Sequence, residues 1–209
     1  MWKISLALII IVGSATFYFT GLAYQKSGET AQQRTFFDAT GNLHVLGIIL
    51  GKSTLRDAEL AFRSRADAAV FLYPKTDQPN KNAQYTGKLE AYFPSIADHT
   101  KVLLTMAVSD HDLETIRQRS SPPRIYPNGV IRMNLSNEDI LGIQKIAIKE
   151  LTLIPSSQLD EQTITAQFGQ PASKQKINPQ ETMYLFPEIG LTAIIHSEEK
   201  DKLIFRNTK

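Results

Sequence analysis

The chain has 209 residues, 23 basic and 21 acidic, with 42% apolar residues and no cysteine. This near balance of charge lacks the strong basic excess of nucleic-acid binders, so no nucleic-acid partner is expected. Without cysteine, neither disulfides nor a lipid-modified N-terminal cysteine can hold or anchor the protein.

In chain order, Met1-Trp2-Lys3 precedes an uncharged, largely apolar run from Ile4 to Tyr24. A bilayer core of about 30 Å needs roughly 20 helical residues, so this run is long enough to span it. Lys3 on its N-terminal side places a short N-terminus in the cytoplasm and the body outside. Residues 1–25 therefore read as a transmembrane anchor that meets the lipid bilayer through residues 4–24. The alternative is a cleavable signal peptide, with Ile4–Val12 as its apolar region and small residues at Gly13-Ser14-Ala15 or Gly21-Leu22-Ala23. The first reading predicts a bacterial inner-membrane protein, single-pass with its C-terminal part in the periplasm. The second predicts a soluble periplasmic protein.

Residues 26–42 read as a tether, polar and without apolar period through Arg34. The run Leu43–Gly51 is too continuously apolar for a half-exposed strand. Thr54 then offers a helix cap, with Asp57 in the first turn and Leu55, Ala58 and Phe62 on one face, which predicts a helix from Thr54 to Arg63. Ala69–Tyr73, Lys88–Phe93 and Lys101–Val108 read as three antiparallel strands. The polar stretch Pro74–Gly87 is a long loop between the first two. A short helix, Leu113–Arg119, follows a turn at Ser109–Asp112, and Ser120-Ser121-Pro122-Pro123 ends it and marks a unit boundary.

Beyond the boundary come a strand at Val130–Leu135, a capped helix from Ser136 or Asn137 to about Gln144, and a strand at Ile146–Ile154. A helix at Leu159–Phe168 stops at Gly169 with Pro171 two residues on. Thr182–Phe186, Leu191–Ile195 and Leu203–Phe205 form a final strand set. The halves echo each other: Tyr92-Phe93-Pro94-Ser95-Ile96 follows the helix ending in Phe62, and Leu185-Phe186-Pro187-Glu188-Ile189 follows the helix ending in Phe168. The expected class is α+β, a transmembrane helix followed by two helix-plus-antiparallel-meander units at 43–121 and 124–206, with helices on one face of each sheet.

Gln162–Pro171, followed by Met183-Tyr184-Leu185-Phe186-Pro187, resembles the BamE/SmpA type of small envelope proteins and the related β-lactamase-inhibitor-like fold. Gly51-Lys52-Ser53-Thr54-Leu55, running into Phe62, is similar to the helix start of the same unit. The chain departs from that pattern in lacking a lipidation cysteine, in lacking Gly and Pro after Phe62, and in carrying two units. The resemblance implies a non-catalytic binding or scaffolding role in a bacterial envelope and carries over no functional residues.

Asp110-His111-Asp112, with Asp98-His99 before it, sets a histidine among carboxylates, as a base or metal ligand requires. The same residues also fit a Ser109 helix cap with acids in the first turn, and that reading is preferred. His44 and His196 have no sequence-local partner. Gly51-Lys52-Ser53-Thr54 has the ending of a phosphate-binding loop, but Leu46 stands where its first glycine belongs. Arg117, Arg119 and Arg124 form a basic group that could face an anionic surface. No catalytic, cofactor-binding or metal-ligating residue is assigned, and no cofactor is expected. The function these features support is a non-catalytic envelope protein that binds an envelope or inner-membrane protein, either on its own or as an accessory subunit of a membrane complex. Its contact surface would be a sheet face, a sheet edge or the Pro74–Gly87 loop. The alternative is a small hydrolase or metal-dependent enzyme centred on His111 with Asp110, Asp112 or His99.

Overall fold

Strand is the dominant element of the computed structural model, which describes residues 35–75, 84–96 and 99–207. A small sheet comprises β1 (Thr35–Phe37), β2 (Leu43–Val45) and β3 (Ile48–Ile49). The large sheet is built from β4 (Asp67–Pro74), β5 (Tyr85–Phe93), β6 (Lys101–Met106), β7 (Arg124–Ile125), β8 (Ile131–Asn134), β9 (Ile148–Ile154), β10 (Ser173–Asn178), β11 (Glu181–Phe186), β12 (Leu191–His196) and β13 (Lys202–Arg206). Its ten strands are antiparallel, in the order β10-β11-β12-β13-β9-β6-β5-β4-β8-β7. Among the described residues the α-helices are α1 (Leu55–Phe62), α2 (Asp110–Arg119), α3 (Asn137–Gly142) and α4 (Glu161–Phe168), with short 3₁₀ helices at Ile143–Lys145 and Pro187–Ile189.

Each of these α-helices begins at a side chain that accepts a first-turn N–H. Thr54 forms a reciprocal capping box with Asp57, and Ser109, Ser136 and Asp160 accept from Asp112, Asp139 and Thr163. Such caps satisfy amides that have no partner within the helix.

Register decides what each sheet face carries. Val70, Leu89, Ala91, Phe93, Val102, Leu104, Leu151, Leu203, Phe205, Leu191, Ala193, Tyr184 and Phe186 share the first face and are all buried. Onto it pack Phe62 at the end of α1, against Phe93, and Phe168 at the end of α4, against Phe186. Leu113 of α2 lies over Gly87, where a Cβ would stand 3.0 Å from its methyl group. The small sheet joins the same core through Leu43, Val45, Ile48 and Leu50. Asn207 stitches it to the end of β13, its Nδ2 donating to the Leu50 carbonyl (3.0 Å) and its Oδ1 accepting from Leu43 N (2.9 Å).

The expected class, α+β with two helix-plus-meander units behind a transmembrane helix, is corrected to a fold dominated by antiparallel sheet. The reason lies in β9. Leu151 and Leu153 are flanked on one side by Leu104 and Val102 and on the other by Phe205 and Leu203, so strands from 43–121 and 124–206 hydrogen-bond into one sheet. Pairing between residues this far apart in the chain leaves no local mark. Strand content rises further through β10 and through β1 to β3, of which β1 begins inside the stretch read as tether.

Among the described residues no helix is long and apolar enough to cross a membrane, so the membrane and transmembrane-helix reading has no support in the fold. The run 4–24 that prompted it, with its alternative cleavage sites, lies outside the described residues, as do residues 76–83 of the polar loop.

Candidate functional site

The second face of the large sheet alternates with the buried one and carries a row that crosses six strands. Tyr92, Leu103, Thr152, Ile204, Thr192 and Leu185 are successive register partners from β5 to β11. Apart from buried Thr152 these side chains are half-buried. The helix and small-sheet contacts described above all fall on the first face.

Beside this row runs a charged one: Glu90, Thr105, Glu150 and Arg206, again in direct register. Glu90 is 2% exposed. The Tyr73 hydroxyl donates to its carboxylate at 2.5 Å, and Lys88 Nζ stands 3.9 Å from the other oxygen and 5.5 Å from the Tyr73 ring centre. Burial pushes the Glu90 carboxyl above the usual range, against the opposing pull of the Tyr73 hydrogen bond and Lys88. Burial and the Glu90 contact raise Tyr73 as well, so its phenol keeps its proton and acts as a donor. Arg206 pairs with Glu150. Where β5 extends past its β6 partners, a cleft of about 700 Å³ opens that belongs to both faces, lined by Lys88, Thr105, Glu150 and Arg206 of the second and by Gly87, Leu89 and Leu113 on the first.

A third row on this face runs Arg124, Arg132, Phe71, Lys88 across β7, β8, β4 and β5. Arg132 donates to Asp67 at 2.7 Å and lies 5.8 Å above the Phe71 ring. Fixed donors, a buried carboxylate and half-buried apolar side chains suit recognition of another surface. None of these groups is a serine or histidine nucleophile set against a base in the manner of hydrolytic sites.

Of the sequence candidates, Gly51 and Asp110 line the cleft and Arg124 stands in the third row, while the others fall elsewhere. Asp110, His111 and Asp112 are exposed at the start of α2, where Ser109 Oγ donates to Asp112 at 2.6 Å and accepts its N–H at 3.1 Å. His99 is exposed, with positive φ of 58°. Among the described residues no group of three or more His, Asp or Glu is placed to hold a metal ion. His44 and His196, read as lacking local partners, both have them. His44 stacks on Phe36 with ring centres 4.6 Å apart and lies 3.1 Å from Asp38, while His196 Nδ1 accepts the N–H groups of Glu198 and Glu199. The Gly51–Thr54 turn is structural: Gly51 has φ of 83°, and Ser53 Oγ accepts from Ile49 N at 2.9 Å. The expected basic group is dispersed, for Arg117 pairs with Glu114 and Arg119 with Asp139.

Both ends of the large sheet are blunted. All six residues of β10 are exposed, with Lys174 and Lys176 among them, and β7 is only two residues long. Lysine and brevity are the devices that keep an edge strand from pairing with another chain. No family model, curated protein or solved structure matches the chain.

Proposed function

We propose that this chain is a non-catalytic binding or scaffolding protein of a bacterial envelope, and that the second face of its large sheet is the contact surface for an envelope protein. The observation that carries this reading is the row Tyr92, Leu103, Thr152, Ile204, Thr192 and Leu185: a half-buried, mostly apolar track on a sheet whose edges are blunted. Flat packing on that track would bury apolar area, while Lys88, Arg206 and Arg132 at its flank would orient the partner. A periplasmic location and the BamE/SmpA likeness of 162–171 and 183–187 belong to the same proposal.

The test is site-specific photocrosslinking in the native envelope, with a photoreactive residue at Leu103 or Ile204 and, as control, at exposed Gln118 of α2. One discrete adduct from both sheet positions and none from Gln118 is the expected result. Absence of adducts at both sheet positions would remove this face as the contact surface.

A further inference from the structure

α1 turns Leu55 and Ala58 into the core and leaves Arg56, Leu60 and Arg63, at helical spacing, on a stripe that faces outward. Leu60 is 69% exposed. The 3₁₀ turn Ile143–Lys145 packs beside α1, and one turn earlier α3 carries Ile140 at 46% exposure and Leu141 at 74%. A groove of about 520 Å³ lies here, lined by Arg56, Leu60, Arg63 and Gln144 among others. Its acidic lining residue, Glu59, is already engaged, accepting from Arg65 at 3.2 Å and from Ala66 N at 3.1 Å. Asp57, which feels the Arg56 charge, is held by Thr54 in the capping box. Arg63 has no ion-pair partner among the described residues, and its backbone sits at φ of 51°, where glycine is the less strained choice. An arginine kept at such a position points to a use for its side chain.

We propose that this groove docks an acidic segment of a partner protein, with an apolar side chain of that segment on Leu60 and its carboxylates on Arg56 and Arg63. Charge complementarity selects the occupant. Two guanidinium groups flank an exposed leucine, and the groove's own carboxylate is taken, so a basic or neutral segment would leave both arginines unpaired. Ile140 and Leu141 extend the apolar rim on the α3 side. The volume falls within the range of concave ligand sites, about 300–1,000 Å³. Exposed Asp57 and Glu138 on the same two helices disfavour a broad anionic surface such as a bilayer but not a narrow segment. α1 packs through Phe62 on the first sheet face, so this site is separate from the track on the second and stands whether or not a protein docks there.

The test titrates the ¹⁵N-labelled full chain with short peptides in which one leucine is flanked by glutamates at varied spacing, and with matched peptides carrying lysine in place of glutamate. Saturable binding of an acidic peptide, with amide shifts at Leu60, Arg63 and Gln144, and no binding of its lysine counterpart, is expected. Arg56→Gln should weaken that binding about tenfold, as loss of one charge-assisted pair implies. Arg63→Gly should weaken it similarly while melting no lower than the parent, which separates a binding role from a structural one. No saturable binding by any acidic peptide, shifts away from α1 and α3, or undiminished affinity in either variant would overturn the site. Shifts at the same residues with phosphatidylglycerol vesicles and with no acidic peptide would overturn it as well, assigning a lipid surface instead.

Discussion

Phe62 meets Phe93 edge-on, with ring centres 5.1 Å apart and planes at 89°, so that the end of α1 is locked to the end of β5. Phe168 and Phe186 join α4 to β11 in a looser, tilted contact, with ring centres 6.0 Å apart and planes at 54°. Phe93 is fully buried, and Phe93→Ala is expected to cost about 3–5 kcal/mol through lost burial and the cavity left behind. Phe62→Leu keeps most of the apolar contact and should cost only about 1 kcal/mol, the worth of the edge-to-face geometry. Urea unfolding of both variants checks the ranking.

Glu90 makes stability depend on pH in an unusual direction for a carboxylate. Its folded-state value is raised by burial, so between the ordinary glutamate range and that raised value the folded protein holds a proton that the unfolded chain has released. Stability from this group is complete below the ordinary range and declines as pH rises through the window. Glu90→Gln, which preserves an acceptor for the Tyr73 hydroxyl, should melt like the parent near about pH 4 and above it near about pH 8. A variant that melts lower at the alkaline end would show that Lys88 and Tyr73 outweigh the burial cost.

Asn207 substitutes for a strand. Its amide satisfies Leu43 N and the Leu50 carbonyl, both in residues with no exposure. Asn207→Ala leaves two buried backbone groups unpaired and is expected to cost about 2 kcal/mol. Faster amide exchange at Leu43 would separate this local loss from general destabilisation.

The first helix ends in Arg63 at φ of 51°, a left-handed position, while the fourth ends in Gly169 at φ of 85°. Arg63→Gly should stabilise the protein by up to about 1 kcal/mol, the relief of Cβ strain less the added chain entropy of glycine. Thermal unfolding reads this directly.

Local chemistry made much of this fold legible. Thr54, Ser109 and Ser136 announce their helices because a cap needs only a hydroxyl before an apolar period. β5, β6, β11 and β12 show their alternation because one face is core. β10 was hidden, since Ser173–Asn178 is exposed at every residue and no periodicity is imposed on it. The β2–β3 turn was hidden too: Leu46 takes φ of 52° ahead of Gly47, where an Asn or Asp would have signalled the hairpin. Of the candidate site, Arg124 was visible as a charge in sequence. Its partner Arg132 was not, because facing pairs depend on register across β7 and β8 rather than on spacing along the chain.

The position of β9 has a consequence for how the chain reaches this structure. β9 is laid down after β6 and before β13, yet it must pair with both. During synthesis, β6 therefore waits about 40 residues for its neighbour, and β9 then presents Leu151 and Leu153 on an open edge until the last strand emerges. Closure is dominated by non-local contacts, which places folding in the slow, millisecond-to-second regime of β-rich domains and leaves any fragment ending before Lys202 with an unguarded hydrophobic strand.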